Sequence, residues 1–247
     1  MNAMLPGTLH HLVRPAPQHA VLTRTLIADG GAARLAAQDA PDLRLFPETE
    51  RAASLAASLR RRPAGDLWVF GYGSLIWNPG FKSVERRIAR IDGWHRAFCL
   101  SMPAGRGTPG APGLALGLDR GGSCQGMAYR VAEEDIESEL PILWDREMLL
   151  GGYIPQWVEL LASNGRMIGH AITFVINTGH DLYAGDRPCS SVVECLATAA
   201  GNWGSSADYL FRTRDALRLH GIPDTKLENL GALVEAVLAG LELAKVA

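Results

Sequence analysis

The stretch that most constrains the fold is a short run in which an apolar strand ends in a glycine-containing loop. It follows Leu67 and Trp68 and has the sequence Val69-Phe70-Gly71-Tyr72-Gly73-Ser74-Leu75. An apolar run broken by two spaced glycines is typical of a strand that passes into a loop, because glycine enters positive φ without steric cost. Glycines also let another molecule approach the backbone closely. Such a loop can hold a carboxylate or an oxyanion through several main-chain N–H groups.

Glycine spacing alone does not establish a binding site, since a tight turn at a strand end has the same spacing and is the more common structure. A dinucleotide-binding loop is excluded, because Gly71-Tyr72-Gly73 is followed by Ser74, Leu75 and Ile76 and the third glycine is missing. The segment also lacks the Gly-x-Ser-x-Gly pattern of hydrolases, so we do not expect Ser74 to be a nucleophile.

Charge and cysteine content narrow the class of function. The 24 basic and 26 acidic side chains give a net charge of −2, which does not favour nucleic acid or an anionic membrane as a partner. Four cysteines form no Cys-x-x-Cys pair, so we expect no metal, no cofactor and no required disulfide. The sequence shows no apolar run of about 18 residues and no signal peptide. We expect a cytoplasmic protein and, by default, a monomer.

The first half of the chain is predicted to be an extension followed by strands. Prolines and Gly30-Gly31 interrupt residues 1–46, which we interpret as a partly ordered N-terminal extension with one short helix, before a single domain over 47–247. A helix is predicted over 47–62. Further predictions are short strands at 87–91 and 94–100, a Gly/Pro-rich loop over 102–113, and a hairpin of 114–118 and 124–131 turning at 119–122.

The second half contains one further hairpin and several helices. A helix over 133–148 has an inner face of Ile136, Leu140, Leu143 and Trp144, with Pro141 expected to kink or bound it. The hairpin joins 153–161 to 167–176 at Asn164-Gly165. Helices are predicted over 192–200, 207–220 and 227–243. Strands gathered in the middle, with helices inserted and appended, predict an α+β fold.

Glu147 is the candidate for acid–base chemistry. It ends an apolar helix, and Trp144 lies on nearly the same helical face, so the carboxylate is expected to be partly buried. A carboxylate among apolar neighbours has a raised pKa and can act first as a base and then as an acid. The alternative is that Glu147 pairs with Arg146 or faces solvent, and from spacing alone this alternative is favoured. The scattered histidines form no comparable pattern.

An ordered succession of motifs resembles the ChaC-type γ-glutamylcyclotransferases. The likeness covers about residues 48–243 and begins with a lead-in helix at Arg51-Ala52-Ala53-Ser54-Leu55-Ala56. The main motifs are Val69-Phe70-Gly71-Tyr72-Gly73-Ser74-Leu75-Ile76-Trp77, Gly93-Trp94-His95-Arg96-Ala97-Phe98-Cys99, Ala104-Gly105-Arg106-Gly107-Thr108, Gly126-Met127-Ala128-Tyr129-Arg130, Trp144-Asp145-Arg146-Glu147-Met148 and Tyr209-Leu210-Phe211.

The resemblance implies a small mixed β-barrel with flanking helices and a reaction that needs no metal. It implies cleavage of the γ-glutamyl amide of glutathione to 5-oxoproline and Cys-Gly. The family's substrate-binding loop falls on Val69–Leu75, and its catalytic glutamate falls on Glu147. One departure is the segment Gly204-Ser205-Ser206-Ala207-Asp208, where the family often has an amide side chain. This departure bears on substrate contacts and not on the reaction.

Several assignments stay open from the sequence. Four tyrosines are expected either to line the pocket or to be core aromatics, namely Tyr72, Tyr129, Tyr153 and Tyr209. The Arg106 loop is expected to cover the site or to bind the distal carboxylate of the tripeptide. The substrate is expected to be glutathione, with other γ-glutamyl amino acids or γ-glutamylamines as the alternative. A non-catalytic binding or regulatory module on the same fold, such as a partner in cation transport, would make Glu147 dispensable.

Overall fold

The computed structural model describes residues 22–246, and the first described segment is more ordered than predicted. Helices α1 (Arg24–Ala28) and α2 (Gly31–Asp39) replace the single short helix expected there. Gly30, at φ 68°, makes the sharp turn between them and occupies the N-cap position of α2. The rest of the predicted extension, residues 1–21, lies outside the described residues. Helix α3 (Glu48–Arg60) follows Pro47, as the sequence predicted.

Five strands form a closed barrel in the order β1-β3-β2-β4-β5. Their bounds are β1 Leu67–Gly71, β2 Glu85–Met102, β3 Gly113–Val131, β4 Tyr153–Leu161 and β5 Met167–Ile176. Neighbouring strands are antiparallel except β1 and β5, which are parallel. This confirms the predicted α+β fold with a mixed barrel. The barrel interior is filled by large apolar side chains that include Phe70, Leu116 and Phe174.

The barrel consists of two well-paired parts that meet at two narrow joints. Strands β1, β3 and β2 form one part through long antiparallel ladders, and β4 and β5 form the other. One joint is the single pair Arg90–Leu161 between β2 and β4. The other joint consists of two parallel pairs between β1 and β5, Trp68–Ala171 and Val69–Ile172.

The long ribbon of β2 and β3 corrects two predictions. The strands expected at 87–91 and 94–100 are one strand, with a register irregularity between Asp92 and Trp94. The hairpin expected at 119–122 is wrong, because β3 runs straight through this segment and pairs with β2 on both sides of it. Gly121 and Gly122 have φ values of 96° and 68° and sit opposite the irregularity in β2. These turn residues therefore make a bulge and not a chain reversal.

The second half agrees more closely with the sequence. The hairpin of β4 and β5 turns at Asn164-Gly165, with Gly165 at φ 78°. Helix α4 (Ile136–Glu147) buries its predicted inner face, and Pro141 lies inside the helix without bounding it. Three helices complete the described chain, α5 Cys189–Thr198, α6 Ser206–Leu219 and α7 Thr225–Val246.

A two-stranded ribbon of β6 (Ala200–Gly201) and β7 (Gly204–Ser205), which was not predicted, joins α5 to α6.

Across residues 22–246, no helix combines the length and apolar character needed to cross a membrane.

Candidate active site

The barrel opens at one end into a pocket with an inner chamber and an outer cleft. Four residues line both parts, namely Ser74, Glu147, Tyr153 and Tyr209. The inner chamber is also lined by Tyr72, Gly73, Leu75, Leu116 and Phe174. The cleft is also lined by Leu22, Trp77, Asn78, Arg106, Trp203, Asp208 and Arg212, among others. The structure thus brings Glu147 and the second half of the predicted binding loop to one cavity.

The first half of the predicted loop does not line this pocket. Val69, Phe70 and Gly71 belong to β1, and the side chains of Val69 and Phe70 are fully buried in the barrel. They position the part of the loop that lines the cavity, Tyr72–Leu75, without lining it themselves.

Glycine is required at two positions of the loop because a Cβ there would clash with neighbouring atoms, and not because φ is positive. Gly73 has a φ of −133°, and Gly71 is likewise outside the positive region, so positive φ, the first of the two predicted reasons for these glycines, is wrong. A Cβ on Gly73 would lie 2.8 Å from the Tyr209 hydroxyl oxygen, and a Cβ on Gly71 would lie 2.8 Å from the Leu75 Cβ. Both distances are too short for unstrained contacts.

The loop that lines the inner chamber has main-chain donors without acceptors. After Gly73 the chain makes a 3₁₀ turn at Ser74–Ile76, in which the Ile76 N–H donates to the Gly73 carbonyl at 3.0 Å. The N–H groups of Gly73, Ser74 and Leu75 come first in this turn and find no acceptor within residues 22–246. Such a group of free N–H donors favours an anionic ligand.

Three side chains hold the loop in place from outside the chamber. Tyr129 donates to the Leu75 carbonyl at 2.9 Å, so this tyrosine supports the loop and does not line the pocket. Arg96 donates from Nε to the Tyr72 carbonyl at 2.5 Å. Arg146 donates from Nη2 to the Ser74 hydroxyl at 2.8 Å.

The Glu147 carboxylate combines burial with a nearby cation. Its side chain is 13% exposed, and Oε1 lies 3.0 Å from Arg146 Nε but outside hydrogen-bond geometry. Burial raises the pKa of Glu147, and the charge of Arg146 opposes the rise only in part. The two alternatives raised by the sequence, burial and pairing with Arg146, are therefore both present. A buried acceptor without a hydrogen-bond donor is suited to receive a proton.

Three of the four candidate tyrosines line the chamber as neutral phenols. Tyr72 donates to the Phe174 carbonyl at 2.8 Å, and Tyr153 donates to the Leu116 carbonyl at 2.6 Å. Burial raises the pKa of Tyr72 and Tyr153 well above its usual value, and it raises the pKa of Tyr209 to about 12. All three side chains therefore keep their protons at neutral pH.

The outer cleft carries two cations that share one carboxylate. Arg106 Nη1 lies 3.4 Å from Asp208 Oδ2, and Arg212 Nε lies 2.9 Å from Asp208 Oδ1. Arg106 is almost completely buried and stacks over the Tyr209 ring at 5.5 Å. Burial lowers the pKa of Arg106, while Asp208 opposes the change. The three groups together leave one positive charge on this wall of the cleft.

Sequence reasoning identified Arg106 as a candidate but not Arg146, Asp208 or Arg212. Arg146 adjoins Glu147 in the sequence and was considered only as its ion-pair partner, whereas its contact with Ser74 depends on the fold. Asp208 and Arg212 are spaced four residues apart on α6, which is an ordinary surface-helix pattern. Within the described part of the chain, no three or more His, Cys, Asp or Glu residues cluster as metal ligands.

Comparison with known proteins places this architecture in context. The ChaC-like protein family matches residues 67–238. The glutathione-specific gamma-glutamylcyclotransferase of Escherichia coli (strain K12) is 43% identical over 196 residues, covering 79% of this chain and 84% of that protein. The human glutathione-specific gamma-glutamylcyclotransferase 1 is 32% identical, covering 77% and 88%.

A solved structure shares the fold. The crystal structure of a yeast gamma-glutamyl cyclotransferase specific to glutathione superposes with a TM-score of 0.63 at 21% identity. The superposition covers 70% of this chain and 97% of the yeast chain.

Proposed function

This chain belongs to the ChaC-like family, and on that premise we propose that it is a glutathione-specific γ-glutamylcyclotransferase. The observation that carries the proposal is the shared lining of one chamber by the Tyr72–Leu75 loop and the Glu147 carboxylate. A loop of free N–H donors and a buried base next to it are the two components that this reaction requires. The names of the bacterial and human relatives supply the substrate.

The reaction is an intramolecular acyl transfer. The α-amine of the γ-glutamyl group attacks its own γ-carbonyl carbon, the new C–N bond closes a five-membered ring, and the amide C–N bond to cysteine breaks. The products are 5-oxoproline and Cys-Gly. Nucleophile and electrophile are already tethered, so the chain's main task is to hold the substrate in a conformation that favours attack.

Glu147 would move the proton that this exchange requires. The α-amine has a pKa of about 8 and is mostly protonated at neutral pH, so a base must take one proton before attack. After attack the ring nitrogen loses a second proton, and the leaving nitrogen gains both protons and departs as the ammonium group of Cys-Gly. The same carboxyl group can carry each proton in turn. The raised pKa of Glu147 brings the carboxylate closer to the pKa of the amine, which makes it a better proton acceptor than a fully exposed glutamate.

The loop donors would bind the negative charges of the γ-glutamyl group. The N–H groups of Gly73, Ser74 and Leu75 can hold the α-carboxylate or stabilise the oxyanion that develops on the γ-carbonyl oxygen. Arg146 orients the components, since one guanidinium donates to Ser74 and lies beside Glu147. The neutral hydroxyl groups of Tyr72 and Tyr153 complete the polar lining.

The outer cleft favours glutathione over a smaller γ-glutamyl compound. Beyond the scissile amide, a tripeptide extends toward the cleft with a free carboxylate, and the wall formed by Arg106, Asp208 and Arg212 carries one uncompensated positive charge. A γ-glutamylamine has no such carboxylate. A γ-glutamyl amino acid has a carboxylate, but one residue nearer to the scissile amide. Both alternative substrates therefore share the chemistry and differ in this contact.

We further propose that the protein acts as a cytoplasmic monomer without a cofactor, and that its catalytic domain spans residues 47–247 with residues 1–46 as an extension. Reduced glutathione is the expected substrate form, which suits a reducing compartment.

The test is release of 5-oxoproline from reduced glutathione by the full chain, in the presence and absence of EDTA. We expect release by the wild type with or without EDTA, and a loss of about 10²–10⁴-fold for Glu147→Gln. Glu137→Gln, on the exposed face of the same helix, is the matched control and should retain full activity. Full activity of Glu147→Gln would refute the assigned base. Release from γ-glutamyl-alanine alone would favour the alternative substrates, and no release from either would favour a binding module.

A further inference from the structure

A carboxylate from the N-terminal segment joins two loops at the rim of the pocket. Asp39 ends helix α2, and its Oδ2 accepts hydrogen bonds from the Gly105 N–H at 2.7 Å and the Asn202 N–H at 2.9 Å. Asp39 precedes the residues that match the ChaC-like family. Both donors are main-chain groups, so the carboxylate fixes backbone positions and not only side-chain rotamers.

The two loops are packed against each other, backbone to backbone. The Trp203 N–H donates to the Gly105 carbonyl at 2.8 Å. A Cβ on Gly201 would lie 2.7 Å from the Gly105 carbonyl oxygen, and a Cβ on Gly105 would lie 2.3 Å from the Trp203 ring. Glycines permit this close approach. The Asp39 carboxylate ties both loops to helix α2.

Each loop delivers one wall residue to the outer cleft. Arg106 follows Gly105 directly, and Trp203 follows Asn202 directly; both line the cleft. The Arg106 carbonyl accepts from the Ser206 hydroxyl at 3.0 Å, so its backbone is fixed on the other side as well. Its guanidinium, in contrast, makes long hydrogen bonds of 3.4 Å to the Ser205 carbonyl and to Asp208, and it stacks on the Tyr209 ring. The backbone therefore determines where this cation lies.

We propose that Asp39 is a positioning residue for substrate recognition, which sets Arg106 to bind the distal carboxylate of the tripeptide. This inference rests on the proposed function. A guanidinium recognises a carboxylate through paired, directional N–H donors, so a displaced backbone weakens the contact even though the charge is retained. Loss of the Asp39 carboxylate would also leave the Gly105 and Asn202 N–H groups without their acceptor.

The test compares glutathione with its glycine monoethyl ester, which lacks the distal negative charge. For the full-length wild type, we expect the ester to show a KM about tenfold higher with a similar kcat. Asp39→Ala should raise the KM for glutathione by about the same factor and leave the KM for the ester nearly unchanged. Asp39→Asn keeps an oxygen acceptor for both N–H groups and should recover most of the wild-type KM. Asp42→Asn, an exposed neighbour, should behave as the wild type.

The outcomes separate this inference from the proposed function. Equal effects of Asp39→Ala on both substrates, or a fall in kcat alone, would overturn the positioning role, because a merely structural residue would not discriminate between them. Arg106→Gln provides a second measurement if Asp39→Ala does not fold, and it should abolish the preference for glutathione over the ester. A wild type with no difference between the two substrates would also overturn the inference. No 5-oxoproline from either substrate would overturn the proposed function together with the inference that rests on it.

Discussion

The hydroxyl oxygen of Tyr209 lies where a side chain at Gly73 would begin, only 2.8 Å from the position of a Cβ on that glycine. Tyr209 comes from α6 and Gly73 from the loop after β1, so this contact sets the distance between two elements that are far apart in sequence. The close approach places a neutral phenol next to the free N–H donors of the loop.

Gly73→Ala should therefore lower kcat/KM for 5-oxoproline release by about 100-fold, because a displacement of the loop or of Tyr209 misplaces the substrate. The loss should be smaller when the same substitution is made in a Tyr209→Phe background, where the hydroxyl is absent. Gly110→Ala is the control, since Gly110 has open space around its Cα and no positive φ. Retention of more than a tenth of the activity by Gly73→Ala would contradict this account.

Glu147→Gln should be more stable than the wild type at neutral pH, although it is less active. The pKa of Glu147 is raised in the folded state, so folding favours the protonated form and loses stability as pH rises through the folded-state pKa. A neutral glutamine removes this loss. Thermal unfolding at a series of pH values should give the variant a higher Tm than the wild type at pH 7. The difference in Tm should shrink below the ordinary glutamate pKa of about 4.3. A lower Tm for the variant at pH 7 would argue against the raised pKa.

Arg146→Ala should shift the acidic limb of the kcat/KM profile to higher pH. Arg146 lowers the pKa of Glu147 in opposition to burial, so removal of the cation lets that pKa rise further. We also expect a loss of about 3 kcal/mol in the free energy of unfolding, because a buried carboxylate loses its ion-pair partner. Arg146→Lys keeps the charge and should leave the acidic limb near its wild-type position. Arg60→Ala, on an exposed helix end, is the control for loss of an arginine.

Arg24→Ala should destabilise the fold by about 2 kcal/mol, less than for a fully buried pair because Arg24 is 39% exposed. Its partner Glu139 is fully buried; burial alone would raise the pKa of Glu139, but hydrogen bonds from Arg24 and the Lys82 N–H bring it below its usual value. Stability from this pair is therefore present above the ordinary glutamate pKa and is lost as pH falls. Urea unfolding at pH 7 and at pH 4 should show a larger effect at pH 7. An equal effect at both pH values would show a packing role and contradict the ion pair. In a Glu139→Gln background, the effect of Arg24→Ala should largely disappear.

The sequence predicted the elements whose signals are local. The hairpin at Asn164-Gly165 and the inner face of α4 were correct because turn chemistry and helical periodicity each depend on a few neighbouring residues. The turn signal at Gly121-Gly122 failed because two glycines at positive φ suit a bulge as well as a reversal, and only the pairing with β2 decides between them. Helix α2 was missed because Gly30-Gly31 was interpreted as a break, whereas Gly30 caps the helix that Gly31 begins.

The candidate site also contains residues that the sequence identified and contacts that only the fold reveals. The loop and Glu147 were identified from a family resemblance and from an apolar helix that ends in a carboxylate. The contacts of Arg146 with Ser74 and of Asp39 with Gly105 join residues 72 and 66 positions apart, so no spacing rule could reveal them. The prediction that residues 47–247 form the catalytic domain remains a proposal.

The two narrow joints of the barrel give the tyrosines of the pocket a second role. The Tyr72–Leu75 loop continues β1 in one part of the barrel. The Tyr72 hydroxyl donates to the Phe174 carbonyl in the other part. Tyr153 makes the reverse connection, from β4 to the Leu116 carbonyl of β3. Because few backbone pairs hold these joints, the hydrogen bonds of Tyr72 and Tyr153 also connect the two parts of the barrel. We therefore expect a ligand that takes over these two hydrogen bonds to loosen the barrel around the pocket, which would link ligand binding to local opening of the barrel.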